Sequence, residues 1–411
     1  MHRLHEVRHC VSAARVGGDE MKEMYDIIVV GAGPAGSTAA RVAAENGASV
    51  LMLEKDREVG IPVRCAEAVG EIGMNRIVKL RPEWIANRIE GVRIIAPDGT
   101  RINVQHDEIG FVLDRKKFDS DLARMAAEKG VELLTKAYVF DLIKEKGFVS
   151  GVKFRYLGEE LSVRAKIVIG ADGVESRVGR WAGLKTHLNL QDIETCVQMT
   201  ITNIPLEKNY CDFYFGSDVA PGGYLWVFPK NENTANVGLG LSGVEAKDKS
   251  PIEYLKKFVE KHFPEGAVLT TVAGGVPCAP LMEKMVGNGI MLVGDAAHQA
   301  FPITGGGIYT GMLAAKIAGE VAAEALKSGD WSEEALARYQ KLWEKEGGKD
   351  HMRAYRLKDP LFKLTDEDLN KTAAAVVKKP KAKHTIVTIF KTALFKQPKL
   401  IAVVLKLFLR Q

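Results

Sequence analysis

Hydrophobic and polar positions along the 411-residue chain follow two periodicities, and their succession predicts the elements. Residues 25–30 are a nearly unbroken apolar run ending at Gly31, which predicts a strand buried on both faces, as in a parallel sheet. Residues 34–46 then place small side chains (Ala35, Gly36, Ala39, Ala40, Ala43) on the side of a helix that would meet the sheet, and Gly47 stops it. Residues 49–53 read as a second strand, followed by Glu54 and Lys55. A helix over 116–129, stopped by Gly130, leads into a strand at 131–135. Residues 139–143 and 149–155 suggest an antiparallel ribbon, and 165–169 another buried strand. From 190 to 272, strands and turns alternate, for example at 196–201, 212–215, 224–228 and 234–239, as in a β-rich second domain. The buried-strand pattern returns at 290–293, and a Gly-rich turn then opens a long helix over 308–326. Beyond Trp331 the pattern is helical to the end.

Composition narrows the class. The chain is 46% apolar and 27% charged, which excludes disorder as its main state. At roughly 100–200 residues per domain the length allows two or three domains. The longest apolar stretches reach only about ten residues, short of the ~18–20 that a spanning helix needs. Five cysteines (Cys10, Cys65, Cys196, Cys211, Cys278) are an odd number without a C-x-x-C pair, which argues against a disulfide framework, a zinc ribbon or a cysteine-ligated cluster. A reducing, cytoplasmic compartment is the expectation. Residues 1–23 lack the apolar core of a secretory signal and read as a flexible extension; His2, His5, His9 and Cys10 there do not suggest a rigid metal site.

Charge is unevenly placed. Residues 369–411 hold ten Lys/Arg and no Asp or Glu, so of the 57 basic residues 47 remain to face 52 acidic ones in the body. In this tail Ile386, Ile389, Phe390, Ala393 and Leu394 share one helical face, as do Ile401, Val404, Leu405 and Phe408, with Pro398 between them. Residues 380–411 therefore suit an anionic membrane surface, a peripheral association with the inner face of the cell membrane. The same pattern would also serve a helix packed on the body with a solvated lysine face. No reading helix or base-stacking platform points to nucleic acid.

The strongest chemical signal is Gly31-Ala-Gly33-Pro-Ala35-Gly36, set between a strand and a helix, with Glu54 at the end of the next strand. In such a unit the first glycine permits the tight turn, the second lets backbone approach a pyrophosphate, and the third lets helix and sheet pack closely. The helix N-terminus offers N–H donors to the anion, and the acid accepts from a ribose hydroxyl. This unit alone does not separate FAD from NAD. Two later segments add to it. Residues 167–170 run into Ala171-Asp172-Gly173, and residues 290–293 into Gly294-Asp295. Asp295 is placed to accept from a ribityl hydroxyl, and the helix start at Gly307-Ile308 can direct N–H groups at the pyrimidine edge of a flavin.

These three motifs, in this order over residues 24–330, resemble the FAD-binding superfamily related to p-hydroxybenzoate hydroxylase. The resemblance implies an α/β protein: a Rossmann-like FAD-binding domain (24–80, 100–188 and 273–330), an inserted, mostly antiparallel β-sheet substrate domain (81–99 and 189–272), and a C-terminal helical region (331–411). It implies cofactor contacts from Lys55, Arg64, Cys65 and Asp172, and backbone contacts from Ala35, Ala66, Ala68 and Val139. Arg115 matches the superfamily's flavin-contacting arginine, though its position also suits a solvated helix N-terminus. No second G-x-G-x-x-G follows a strand, so reducing equivalents are expected from NAD(P)H in passing or from reduced ferredoxin.

Two further segments, Arg64-Cys65-Ala66 and Tyr224-Leu-Trp226-Val-Phe228-Pro229 with a later Gly238-Leu-Gly240, are similar to those of geranylgeranyl reductases, and the chain from Met24 resembles the archaeal digeranylgeranylglycerophospholipid reductases. That implies an FAD-dependent oxidoreductase acting on the C=C bonds of an isoprenoid ether lipid. On a strand, Tyr224, Trp226 and Phe228 share one face, which serves a core as well as the wall of a substrate cavity closed by Pro229. A free cysteine is usually a small buried hydrophobe. The resemblance instead puts Cys65 beside the flavin, where a thiol can supply the proton that an unactivated alkene needs. A flavin monooxygenase or halogenase, and an electron-transfer flavoprotein serving a membrane quinone, are the competing readings.

Overall fold

The apolar run before Gly31 is the strand Met24–Val30, at the centre of a parallel sheet in the computed structural model, which describes residues 15–16, 19–104, 110–380 and 392. Across this sheet the order is Glu132–Leu134, Val50–Leu53, Met24–Val30, Glu159–Gly170, Ile290–Leu292, all parallel. Its side chains are buried on both faces, as the continuous apolar runs require. The long strand Glu159–Gly170 changes partners along its length. Its first half pairs antiparallel with Phe148–Tyr156, which pairs in turn with Ala137–Glu145. Helices Pro34–Glu45, Arg115–Ala127 and Ile308–Ser328 pack together beside this sheet. The first and last meet at their small residues: a Cβ on Gly319 would lie 2.8 Å from the carbonyl oxygen of Ala39.

A second sheet runs Ala267–Val276, Glu194–Thr202, Thr234–Ser242, Tyr224–Pro229, Tyr210–Tyr214, Gly91–Ile95, Arg101–Val104. It is antiparallel except where Gly91–Ile95 meets Tyr210–Tyr214. Helix Pro251–His262 covers one face through Leu255, Phe258 and Val259, against Leu225, Val227, Val237 and Leu239. The other face looks towards the parallel sheet. A third, small sheet joins Ala68–Gly70, Gly110–Leu113 and Ile85–Ile89.

Several expectations need correction. The second sheet extends through Arg101–Val104 and to Val276, so the expected divisions at 99/100 and 272/273 are displaced. The turn from Ala96 to Gly99, closed by Gly99 N donating to the Ala96 carbonyl, folds the chain back on Gly91–Ile95, and a local antiparallel pairing wins. Residues 85–89 belong to the small sheet instead. Within the stretch read as strands and turns, Pro251–His262 is helical, because its apolar residues recur at helical spacing over the sheet. Structure also begins before Met24: Arg15–Val16 pairs with Asp19–Glu20, and Met21 is buried in the main core.

The C-terminal region is helical at Glu333–Trp343, continues through a π-helical segment Glu344–Gly348 into Lys349–Phe362, and adds Asp366–Val377. Among the described residues no helix is long and apolar enough to cross a membrane. The amphipathic positions expected between Ile386 and Phe408 lie outside the described residues, as do His2, His5, His9 and Cys10.

Candidate active site

The C-terminal ends of three parallel strands, at Gly33, Ala171 and Val293, open into one cavity of about 1200 Å³ that reaches across to the second sheet. Gly31 has φ +101°, and a Cβ there would lie 2.4 Å from the Ala171 carbonyl oxygen. At Gly36 a Cβ would fall 1.9 Å from the Gly31 carbonyl oxygen. Gly33 differs: nothing stands within 4 Å of where its Cβ would be, so its backbone faces open space. Glu54 fixes the turn, its carboxylate accepting from Ala32 N at 2.8 Å and Asp56 N at 2.9 Å. Gly31 and Glu54 thus shape the cradle from behind, whereas Gly33, Ala35, Gly36 and Lys55 line it.

Two carboxyls face into this end. Asp172 accepts from Val178 N at 3.0 Å, while its other oxygen is buried without a partner, and burial raises its pKa. Asp295 is pushed up to about 6 by burial, against the opposing charge of Arg115. Beside it, Gly307 caps helix Ile308–Ser328 with no side-chain partner, leaving the first N–H groups free for a ligand. Open backbone at Gly33, an unpartnered acceptor on Asp172, a carboxyl at Asp295 and this helix start fit the phosphates, hydroxyls and ring edge of FAD. The Val139 side chain is buried in the core of the parallel sheet, which leaves only its backbone for the cofactor contact expected of it.

The loop after the second strand brings Arg64, Cys65, Ala66 and Ala68 to the middle of the cavity. Burial pushes the Cys65 thiol up, with Arg115 acting the other way, so the sulfur stays protonated at neutral pH. Its Sγ accepts from Glu67 N at 3.2 Å. Arg115 is no solvated terminus. Its buried guanidinium grips Asp119 at 2.6 and 2.7 Å; burial would lower its pKa, but this carboxylate outweighs that and holds the charge.

Sequence reasoning missed the residues that tie this loop down. Glu67, at φ +76°, is 4% exposed and accepts from Asn236 Nδ2 at 2.5 Å, from Arg115 N at 3.3 Å and from Lys230 Nζ. Gln198 donates to the Cys65 carbonyl at 2.9 Å and accepts from Trp226 Nε1 at 3.0 Å. Nothing in their local sequence marks them, because each acts on a partner far along the chain.

The far wall is the strand Tyr224–Pro229. Tyr224, Trp226 and Phe228 face the cavity, whereas Leu225 and Val227 point to the core under the helix. Phe213 joins the row, 5.4 Å from Tyr224 and 5.2 Å from Phe228 between ring centres. The Trp226 indole lies over Gly238, where a Cβ would come within 2.5 Å of it. Tyr224 Oη donates to the Thr304 carbonyl at 2.5 Å, linking this wall to the Gly-rich turn. Pro229 does not reach the cavity; it pairs with Ala235 and its carbonyl accepts from Asn87 at 3.0 Å. The C-terminal helices, unassigned in the sequence reading, complete the cavity with Trp343, Gly347, His351 and Phe362.

Residues 192–276, most of the second sheet, match the family described as the geranylgeranyl reductase catalytic domain, and residues 26–206 match glucose inhibited division protein A. Over 360 residues, 87% of this chain and 88% of the relative, the sequence is 48% identical to digeranylgeranylglycerophospholipid reductase 1 of Methanococcoides burtonii. The chain belongs to that reductase family. A further member, from Methanocella arvoryzae, is 48% identical over 86% of this chain and 91% of its own. Among solved structures, a geranylgeranyl bacteriochlorophyll reductase-like protein from Thermoplasma acidophilum superposes with a TM-score of 0.88 at 39% identity, covering 94% of this chain and 99% of that one. A flavin-dependent brominase triple mutant, at 18% identity and a TM-score of 0.71 over 94% of this chain and 100% of its own, shares the fold alone.

Proposed function

We propose that the protein uses FAD to saturate the C=C double bonds of geranylgeranyl chains in an archaeal ether-lipid precursor, a digeranylgeranylglycerophospholipid, during membrane phospholipid biosynthesis. The observation that carries this is a single cavity joining a dinucleotide cradle to an aromatic wall, in a chain of this reductase family. Bound FAD, once reduced, supplies the hydride. The chain's own residues do the rest. Gly33, Asp172, Asp295 and the Gly307 helix start hold the cofactor, with Lys55, Arg64 and Arg115 lending positive charge. Tyr224, Trp226 and Phe228 give the flexible apolar chain a water-excluding surface. Cys65, a protonated thiol on the cavity wall, donates the proton that the second alkene carbon needs.

Reducing equivalents reach the cofactor from NAD(P)H or reduced ferredoxin, and residues 380–411 hold the protein against the anionic inner face of the membrane. The monooxygenase, halogenase and electron-transfer flavoprotein readings are not favoured, since the relatives at near-half identity are digeranylgeranylglycerophospholipid reductases. Mass spectrometry of a digeranylgeranyl phospholipid incubated with FAD-loaded, dithionite-reduced protein tests the reading. Masses rising in steps of one H₂ are expected, and an unchanged lipid beside reoxidised cofactor would overturn it.

A further inference from the structure

The strand that carries Gln198 also carries a buried ion pair that plays no part in the roles given above. Glu194 opens the strand Glu194–Thr202, and period two places it with Cys196 and Gln198 on the cavity face. Its side chain is 13% exposed, and both carboxyl oxygens are buried without a hydrogen-bond partner. Lys358, from helix Lys349–Phe362, stands 3.4 Å from Oε1. That ammonium is equally enclosed and donates to the carbonyls of Gln191 at 2.6 Å and Cys278 at 2.9 Å.

Three further elements face the same spot. Gly240, between Cys196 and Tyr224 in the sheet register, leaves room that brings Cys196 Sγ within 3.1 Å and Glu194 Cβ within 3.8 Å of where its own Cβ would stand. Cys278 follows the edge strand, and Asp192, from the turn before Glu194, is held by Tyr355 Oη at 2.8 Å. Next to Lys358, Asp359 is 54% exposed, so the helix that carries the buried ammonium meets solvent one residue on. Burial raises the Glu194 carboxyl to about 7, Lys358 pulling it down and Asp359 adding to the rise.

Each saturation consumes one hydride and one proton, and a thiol that gives its proton must regain it. We propose that Glu194, with Lys358 as counter-ion, is the acid that resupplies this proton inside the cavity, a role that rests on the reduction proposed above. The carboxyl O–H breaks as the proton passes through the cavity to the Cys65 thiolate, where the S–H bond re-forms; the carboxylate left behind is neutralised by the Lys358 ammonium and regains a proton from solvent. The hydride comes from reduced FAD, so no further reductant is needed.

The sign is set by the need for a protonated acid. Activity is retained below the carboxyl's pKa and falls about tenfold per pH unit above it. In FAD-loaded protein, kcat under multiple turnover should fall above about pH 7 in the wild type. Glu194→Gln should remove that limb and lower kcat about tenfold at pH 6. Lys358→Gln keeps donors for the two carbonyls but removes the cation, so the limb should move to higher pH. Infrared difference spectra of the FAD-loaded protein without lipid should show a protonated-carboxyl band that titrates near pH 7 and is missing in Glu194→Gln. An unchanged limb in Glu194→Gln, or an unchanged band, overturns the role of Glu194 while leaving the reductase reading intact. A wild type that saturates no alkene overturns the reductase reading, and this role with it.

Discussion

The side-chain amide of Gln198 donates to the main-chain carbonyl of Cys65 at 2.9 Å, although the two are 133 positions apart. The same side chain accepts from the indole N–H of Trp226, so one residue holds both the thiol loop and the aromatic wall. Gln198→Leu leaves a buried indole N–H unpaired, which costs about 1–3 kcal/mol. Expected outcomes are shifted Trp226 fluorescence and a kcat lowered about tenfold, with FAD still bound stoichiometrically.

Cys65 itself separates chemistry from cofactor binding. Cys65→Ala should keep the flavin spectrum and lower turnover roughly 10²-fold, the scale of one lost proton donor. Because burial raises the thiol pKa, iodoacetamide should label Cys65 slowly at pH 7 and faster as pH rises. Unchanged turnover in the variant would dismiss Cys65 as a donor.

Glu67 and Lys230 pin the thiol loop to the second sheet. Lys230→Met strands a carboxylate that is only 4% exposed. The cost should be about 2–3 kcal/mol, below the ~3–5 of a fully enclosed pair because Lys230 stays partly solvated. Adding Glu67→Gln should recover about half of it, as urea unfolding of the two variants would show.

Gly33 and Gly36 should fail in different ways. Gly36→Ala drives a methyl into the Gly31 carbonyl and should cost upwards of about 3 kcal/mol in folding, read as a lower Tm without added FAD. Gly33 has φ −66° and open space, so Gly33→Ala should fold within about 0.5 kcal/mol of wild type. Its FAD affinity should nevertheless drop at least tenfold by fluorescence titration, because the methyl occupies the backbone's approach to the pyrophosphate.

Asp295 gives a pH signature. Its folded-state pKa of about 6 lies above the ordinary ~3.9 of the unfolded chain. Folded protein without FAD therefore binds more protons between those values, and that stabilisation is present below pH ~4 and lost as pH rises through about 6. Asp295→Asn should melt like wild type at pH 4 and above it at pH 7. Glu194 contributes a limb of the same sign to both proteins, so the difference between them isolates Asp295.

For residues 380–411, sedimentation with liposomes is the measurement. At about 1 kcal/mol per basic residue near an anionic surface, binding should require anionic lipid, weaken with salt, and vanish on deletion of 380–411. Equal binding to neutral vesicles would discard the electrostatic account.

What the sequence determined by itself were features whose physics is local. The turn at Gly31–Gly36 needs only its own steric demands, the strand Tyr224–Pro229 shows its two faces by alternation, and Ile308–Ser328 announces its start with glycines. From these the cradle and most of the aromatic wall were legible. The helix over Pro251–His262 was missed because strands surround it, and the hairpin through Arg101–Val104 because its strand is only four residues long. Only the tertiary structure decided that Pro229 stays off the cavity wall and that Glu67, Gln198, Glu194 and Lys358 stand on or beside it. Hydrogen bonds and ion pairs between residues far apart in the chain carry no periodicity; they exist because two separate sheets meet across one cavity, where a buried polar group must find a partner.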